Sequence, residues 1–115
     1  MSLKAYQAAQ TGTEDPRLTE YRLFGQVTGA LLKAQDANAT SVALVEALDR
    51  NRRMWRALAA DCMDDRNNLA PDVRAKIISL SLWVAKYSRS VTCEKAPLDP
   101  LIAINRTIMQ GLQGG

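Results

Sequence analysis

Apolar residues recur along most of the chain at spacings of three and four, which is the period of an amphipathic α-helix. Short stretches rich in Asp, Asn and Pro separate the periodic segments. The pattern predicts helices at about residues 16–34, 41–63, 71–89 and 100–112. Because only a few residues join consecutive helices, we predict an all-α fold, a compact antiparallel bundle of about four helices.

The predicted helices begin at recognisable signals. In "EDPR" and "LDPL", an aspartate that can cap a helix precedes a proline, whose missing N–H costs nothing in the first turn. These pairs predict Asp15 and Asp99 as the N-caps of the first and last helices. The third helix is predicted to start with Pro71, and the second near Thr40 or Ser41, after the polar bend "AQDANAT".

One stripe of each predicted helix is apolar enough to be buried against its neighbours. Two asparagines and a cysteine interrupt these stripes, and the cysteine is most simply a small core residue. The stripe positions are Phe24, Val27, Leu31 and Ala34 in the first helix, Leu44, Leu48, Asn51, Trp55, Leu58 and Cys62 in the second, Val73, Ile77, Leu80, Val84 and Tyr87 in the third, a series that Val91 would continue, and Leu101, Ile104, Asn105, Ile108 and Leu112 in the fourth.

The third predicted helix is apolar around most of its circumference. Ile78 and Leu82 lie more than about 100° from its main stripe, and Trp83 lies beside that stripe. Such a helix is either central in the core or exposes a patch on which a partner docks. A chain of this length buries only about two-thirds of the surface that its unfolded form exposes, so part of the apolar surface is expected to remain uncovered.

Gly25 and Gly29 form a pair of small residues, four positions apart, on the first predicted helix. Each glycine costs a soluble helix up to about 1 kcal/mol relative to alanine. The pair is either a tolerated weakness, the interpretation we favour, or a point of close approach by another helix.

The segment "DRNRRMWRAL" places four arginines and a tryptophan within ten residues. On a helix, Trp55 points to the apolar stripe and most of the arginines point away from it. Arg50 and Arg53 each follow an acidic residue by four positions, a spacing that forms weak surface ion pairs. We therefore predict a solvated, partly neutralised face and not a phosphate-binding site. A partner-binding role for Arg52 and Arg56, which flank the stripe, is the alternative.

Composition removes several classes of site. The chain has no histidine, and Cys62 and Cys93 are too widely spaced in sequence for a zinc motif. The sequence contains no glycine-rich phosphate or dinucleotide loop. We therefore predict no metal site and no cofactor. Composition leaves catalysis by Asp, Glu, Lys, Ser or Cys open, but nothing in the spacing of these residues indicates a catalytic site. A net charge of only +3, with acidic residues interspersed, does not by itself indicate a nucleic-acid partner.

The first residues, "MSLKAYQAAQ", lack the apolar segment of a secretory signal, and no apolar run approaches the roughly 20 residues of a membrane span. We predict a cytoplasmic protein with reduced thiols and no membrane contact. We also predict a single domain over residues 1–115, with residues 1–14 as a flexible arm.

Four blocks of the sequence resemble successive blocks of the FlaF family, flagellar biosynthesis proteins of alphaproteobacteria. These blocks are "EYRLFGQVTGALLKA", "LVEALDRNRRMWRALAADC", "NNLAPDVRAKIISLSLWVAKYS" and "PLDPLIAINRTIMQGL". The resemblance covers nearly the whole chain in order. Its specificity comes from the combination of an N-R-x-x-W block, an I-I-S-L-x-x-W-V block and a D-P-L-I-x-x-N block.

The resemblance implies a non-enzymatic role in flagellin production. Members of the family are described as positive factors for flagellin synthesis and secretion, acting with or against the translational regulator FlbT, and as proteins that bind flagellin. We therefore expect a chaperone that covers a terminal helical segment of flagellin in an apolar groove. The alternative is a regulator of flagellin expression that acts through FlbT or the flagellin mRNA, and a further possible partner is an export component. Direct nucleic-acid binding is disfavoured because few aromatic residues are available for base stacking.

The resemblance supplies no site residues, so the candidate partner-binding residues come from the helical pattern. Trp83 is the strongest candidate because it lies about 100° from the centre of the main stripe of its helix, and tryptophan is enriched at interface hot spots. Trp55 and Leu80 lie on apolar stripes, and residues at such positions are found in the protein core more often than at a binding interface. Asn51 and Asn105 more often brace a helix than bind a ligand. The full candidate set is Trp83, Trp55, Leu80, Val84, Leu101, Ile104 and Ile108 as apolar anchors, with Arg22, Arg52, Asn51 and Asn105 as polar partners.

Overall fold

The computed structural model of the chain describes residues 16–36 and 40–114. Within these residues the chain forms four α-helices and no strand, which confirms the predicted all-α bundle. The expected N-cap Asp15, the expected arm at 1–14 and the side chain of Leu112 lie outside the described part. The helices are α1 (Pro16–Ala34), α2 (Ser41–Met63), α3 (Pro71–Glu94) and α4 (Asp99–Gly114).

The helices pair as α1 with α2, α2 with α3, and α1 with α4. α1 and α4 run antiparallel. Gln35, just after α1, donates a side-chain hydrogen bond to Asp99 at the start of α4, whereas Gly25, nearer the middle of α1, faces Met109 toward the end of α4. The short link between α2 and α3 makes these two helices antiparallel neighbours as well.

The first turns of α2 and α3 confirm the predicted starts. Thr40 is the N-cap of α2, and its Oγ1 accepts a hydrogen bond from the backbone N–H of Ala43 at 3.1 Å. Pro71 occupies the first turn of α3 beside Asp72, whose carboxylate lies at the positive end of the helix dipole. The start of α2 therefore follows from side-chain capping, whereas α3 starts with a proline in its first turn and no side-chain cap.

The start of α4 differs from the prediction by one residue. The backbone N–H groups of Leu101 and Ile102 donate to the carbonyl of Leu98, at 3.0 and 3.1 Å. Leu98 therefore precedes the helix, and Asp99 lies inside its first turn. The prediction of Asp99 as N-cap is wrong because Asp99 is already the first residue of α4. Its carboxylate accepts a hydrogen bond from the side chain of Gln35.

The end of α3 lies five residues beyond the predicted position, at Glu94. The extra residues include Val91, which is buried and joins the core. Lys95 then ends the helix in the left-handed conformation, with φ 56° and ψ 35°, and the backbone N–H of Ala96 donates to the carbonyl of Ser90 at 3.3 Å. The helix therefore includes Val91, which continues the predicted apolar stripe of α3.

The core lies where α1, α2 and α4 meet, and α3 closes it from the side of α2. Phe24 of α1 packs its ring against the edge of Trp55 of α2, with ring centroids 5.8 Å apart and an interplanar angle of 84°. Burial of a large apolar side chain contributes about 1.5–3 kcal/mol. The buried apolar residues are Phe24, Val27, Leu31, Ala47, Leu48, Met54, Trp55, Ala59, Cys62, Val84, Val91, Leu98, Leu101 and Ile102.

The glycine pair of α1 is not a point of close helix approach among the described residues. A Cβ atom added at Gly29 would meet no atom within 4 Å, and one added at Gly25 would lie 3.6 Å from the flexible end of Met109. The favoured interpretation, a tolerated weakness, is confirmed.

None of the described helices combines the length and the apolar composition that crossing a membrane would require.

Candidate functional site

Five of the candidate residues lie in the core and not at the surface. Trp55, Val84, Leu101, Asn51 and Asn105 are almost completely buried. No partner can reach these side chains while the bundle is closed, so their contribution is to hold the helices that carry the surface.

The buried polar residues among them form a short hydrogen-bonded chain between α2 and α4. Nε1 of Trp55 donates to Oδ1 of Asn105 at 2.8 Å, and Nδ2 of Asn105 donates to Oδ1 of Asn51 at 2.8 Å. Because buried amides need hydrogen-bond partners, this chain fixes the position of α4 along α2.

The exposed candidate is Trp83, which is 38% exposed and lies at the junction of α3 and α4. Together with Leu80 of α3 and Ile104 of α4, it lines a depression with a volume of about 450 Å³. Pro100, Ala103 and Thr107 complete the wall on the α4 side. Three of the candidates predicted from the helical pattern are thus brought together at one surface.

A second depression continues along α3. It has a volume of about 560 Å³, and Leu80 and Trp83 line it as well, with Ala75, Lys76 and Ser79. We refer to the two depressions together as the α3–α4 groove. Its walls are mostly apolar, and Lys76 supplies a positive charge at one end, so the groove suits an apolar segment with a polar edge.

Neighbouring contacts hold Trp83 in place. Its ring stacks on that of Tyr87, one turn later in α3, with centroids 5.1 Å apart and an interplanar angle of 22°. The hydroxyl of Tyr87 donates a hydrogen bond of 2.6 Å to the backbone carbonyl of Pro97 in the link to α4. An anchor already held in position loses less conformational entropy when a partner binds.

The three remaining candidates lie apart from the α3–α4 groove. Ile108 is partly buried against the core. Arg22 is exposed on α1, and Arg52 is half-buried on the side of α2 that faces α3. The structure therefore divides the predicted candidates into five core residues, three residues that line the groove, the partly buried Ile108, and the two arginines Arg22 and Arg52, which lie elsewhere.

The arginine-rich segment of α2 behaves in part as predicted. Arg53 forms an ion pair with Asp49, with Nε and Oδ2 3.0 Å apart. Both side chains are largely exposed to solvent, so this pair stabilises the helix by no more than about 0.5 kcal/mol. The predicted pairing across four residues is confirmed at this position.

Perturbed ionisable groups lie at the end of α2, away from the α3–α4 groove. Hydrogen bonds from the side chain and the backbone of Arg66 hold the pKa of the Asp64 carboxyl well below its usual range. Burial, followed by the negative charge of Asp61, raises the pKa of the Cys62 thiol. In residues 16–36 and 40–114, no group of three or more Cys, Asp and Glu side chains is placed to hold a metal ion. These shifts follow from local hydrogen bonds and burial.

On the α4 wall of the groove, the helical pattern singled out Ile104 but not the residues beside it. Pro100, Ala103 and Thr107 are small or polar and carry no apolar signal of their own. Their spacing of three and four, together with Ile104, places them on one face of the helix and could have indicated a shared surface.

Comparison with known proteins supports the resemblance. The model of a family described as Flagellar protein FlaF matches residues 2–112. No curated protein and no solved structure matches the chain. Because the family match spans nearly the whole sequence, the chain belongs to the FlaF family of flagellar proteins.

Proposed function

We propose that this protein handles flagellin, binding a terminal helical segment of the subunit in the α3–α4 groove and thereby promoting flagellin synthesis and export. Family membership supports a flagellar role. The observation that carries the proposal is the exposed indole of Trp83 between Leu80 and Ile104, in a groove with mostly apolar walls.

The chemistry of such a complex is that of a helix in a groove. Flagellin subunits have terminal helical segments that pack inside the assembled filament, and these segments present apolar faces in the free subunit. An amphipathic helix places anchors at spacings of three and four, which match a groove between two helices. Covering these anchors prevents premature polymerisation.

The groove also matches the need for release. Only three large apolar side chains, those of Leu80, Trp83 and Ile104, line the part of the groove at the α3–α4 junction. A few residues dominate the binding energy of most interfaces, so an interface with few anchors gives moderate affinity. The bound subunit can therefore leave when the export machinery takes it over.

Calorimetric titration of the purified protein with its cognate flagellin tests this proposal. We expect binding that changes little between low and high salt, because apolar burial is not screened by ions. A flagellin that lacks its C-terminal helix should bind at least about tenfold more weakly. Unchanged binding of the truncated flagellin would redirect the proposal to another segment, and no binding of the intact subunit would contradict it.

A variant of the anchor residue makes the same titration specific for the α3–α4 groove. Trp83→Ala should weaken flagellin binding about tenfold or more, because tryptophan anchors contribute strongly when buried at an interface. Leu32→Ala is the matched control, since Leu32 is 41% exposed on α1 and far from the groove. A loss of thermal stability without a selective loss of binding would place Trp83 in the core instead.

A second candidate function is regulation of flagellin expression through FlbT or the flagellin transcript. The observation that favours it is a depression of about 390 Å³ lined by four arginines of α2 and α3. Binding of a transcript there would fall steeply with salt, because each phosphate contact releases counterions. Replacing Arg50 and Arg53 with glutamine should leave flagellin binding nearly intact, and a large loss would mean that this arginine-rich face itself contacts flagellin.

A further inference from the structure

A second groove runs between α2 and α3, on a different face of α3 from Trp83. Its apolar part has a volume of about 260 Å³ and is lined by Ala59, Ala60 and Met63 of α2 and by Ile78 and Leu82 of α3. Met63 is 61% exposed and Leu82 is 70% exposed. These two side chains line one depression together with Arg52 and Arg56, and an exposed apolar patch with a polar rim is typical of contact sites.

The same groove becomes strongly basic toward the start of α2. Arg52 and Arg56 line the apolar part and also the adjoining depression of about 390 Å³, to which Arg53 and Arg89 contribute as well. Asp49 is the acidic residue in that lining, and it is paired with Arg53. We call the two parts together the α2–α3 groove: apolar at one end, and at the other end lined by four guanidinium groups and one carboxylate.

The walls of the α2–α3 groove are held together by hydrogen bonds between the helices. Oγ of Ser81 donates to the backbone carbonyl of Trp55 at 3.3 Å, beneath the groove. At the apolar end, Nε of Arg74 donates to the carbonyl of Cys62 at 2.7 Å and Nη2 donates to the carbonyl of Asp64 at 3.0 Å. The groove is therefore present before any partner arrives.

We propose that the α2–α3 groove binds an amphipathic helix of a partner protein, one that carries carboxylates at one end and apolar anchors at the other. Charge complementarity selects the carboxylates, since guanidinium groups bind them in paired, charge-assisted hydrogen bonds. The exposed side chains of Leu82 and Met63 select the apolar anchors. A nucleic acid would contact the arginines and leave these two side chains uncovered, and a flat membrane surface would not enter a concave site.

This surface goes beyond the proposed flagellin site. Leu82 and Trp83 are adjacent in sequence, but they point about 100° apart on α3 and line different grooves. The α2–α3 groove can therefore hold an acidic helix while the α3–α4 groove holds another segment. α3 would then be shared between two partners.

The probe for the test is a designed helical peptide without flagellin sequence. It should be about three turns long, since the distance along α2 from Arg52 to Met63 is about 17 Å. Leucines occupy one face of the peptide toward one end, and glutamates occupy the other end. A second peptide has lysines in place of the glutamates, and a third has alanines in place of the leucines. Fluorescence anisotropy at low and high salt gives the affinities.

We expect the acidic peptide to bind at least about tenfold more tightly than either altered peptide. Leu82→Ala should weaken binding of the acidic peptide about tenfold. The Arg52→Gln/Arg56→Gln double variant should weaken it about tenfold at low salt and by a smaller factor at high salt. The matched controls are Leu32→Ala and Arg106→Gln, which change an exposed leucine of α1 and an exposed arginine of α4, neither of which lines the groove.

Other outcomes would overturn the proposal. One is equal binding of the glutamate and lysine peptides, and another is no binding of the acidic peptide at millimolar concentration. A third is a loss of peptide binding in Trp83→Ala with unchanged binding in Leu82→Ala. Tighter binding of a polyuridine oligonucleotide, or of vesicles of phosphatidylcholine and phosphatidylserine, with the same dependence on Arg52 and Arg56 would assign the surface to RNA or to a membrane. Because flagellin is absent from this experiment, its result is independent of the proposed flagellin site.

Discussion

At the scale of single residues, Asn105 links Asn51 to the core tryptophan, Trp55, through hydrogen bonds. Its side chain accepts from Trp55 and donates to Asn51. Among the described residues, the Nδ2 donor of Asn51 remains buried without a hydrogen-bond partner. A buried network that is not fully satisfied adds little net stability, but it specifies how α2 and α4 align.

Replacing Asn105 with alanine tests whether the buried network sets the alignment of α2 and α4. Asn105→Ala leaves the Trp55 donor and the Asn51 acceptor buried without partners, which should lower the free energy of unfolding by about 2–5 kcal/mol. Urea denaturation measures the change. Asn68→Ala, in the exposed link between α2 and α3, is the control and should change stability by less than about 0.5 kcal/mol. Equal effects of the two variants would mean that the network does not position α4.

The two cysteines differ in environment and should differ in reactivity. Cys62 is buried and Cys93 is exposed, and both are free thiols. Burial raises the pKa of Cys62, so a smaller fraction of this thiol is the reactive thiolate at any given pH. In maleimide labelling followed by mass spectrometry, we expect Cys93 to react at once and Cys62 to react only as the bundle opens. Simultaneous labelling of both would show that the end of α2 is open.

At the scale of helices, the sequence determined α1 and α2 well and α3 less well. Apolar periodicity and the N-cap at Thr40 carry clear local signals. The end of α3 carries none, because Lys95 takes the left-handed position that glycine or asparagine usually occupies. Val91, which continues the predicted stripe of α3, is buried within this extension, but the pattern does not mark where the helix ends.

The left-handed end of α3 leads to a stability prediction. Lys95→Gly removes the steric cost of a side chain at positive φ, offset in part by the greater freedom of glycine in the unfolded chain. We expect a gain of about 0.5–1 kcal/mol in thermal or urea unfolding. Lys86→Gly, at an exposed position inside the same helix, should instead cost about 1 kcal/mol. A loss of stability in both variants would contradict the observed backbone conformation.

At the scale of the whole molecule, the fold class followed from the pattern but the surfaces did not. Periodicity correctly put Trp55, Val84 and Leu101 on apolar stripes. It could not say which stripe residues stay at the surface, because exposure depends on which helices pair. α3 packs mainly against α2, and this choice leaves Trp83 and Leu82 exposed on two faces. Of the α3–α4 groove, the pattern therefore predicted Leu80, Trp83 and Ile104 but not the smaller residues of α4 beside them.

The arrangement of the bundle explains how a small protein can keep apolar surface available. α1, α2 and α4 enclose the buried network and the paired rings of Phe24 and Trp55. α3 closes this core and presents its remaining apolar residues in the α3–α4 groove and the α2–α3 groove. Stability and binding thus depend on different residues, so surface variants should change binding with little effect on folding.

The most direct test of the central claim uses the two tryptophans as separate reporters. With 5-fluorotryptophan incorporated, the protein gives one fluorine resonance for buried Trp55 and one for exposed Trp83. On addition of unlabelled flagellin, we expect the Trp83 resonance to shift and to lose its solvent isotope effect, while the Trp55 resonance stays in place. Flagellin binding that leaves the Trp83 resonance unchanged and still sensitive to solvent would contradict the assignment of the α3–α4 groove as the flagellin site.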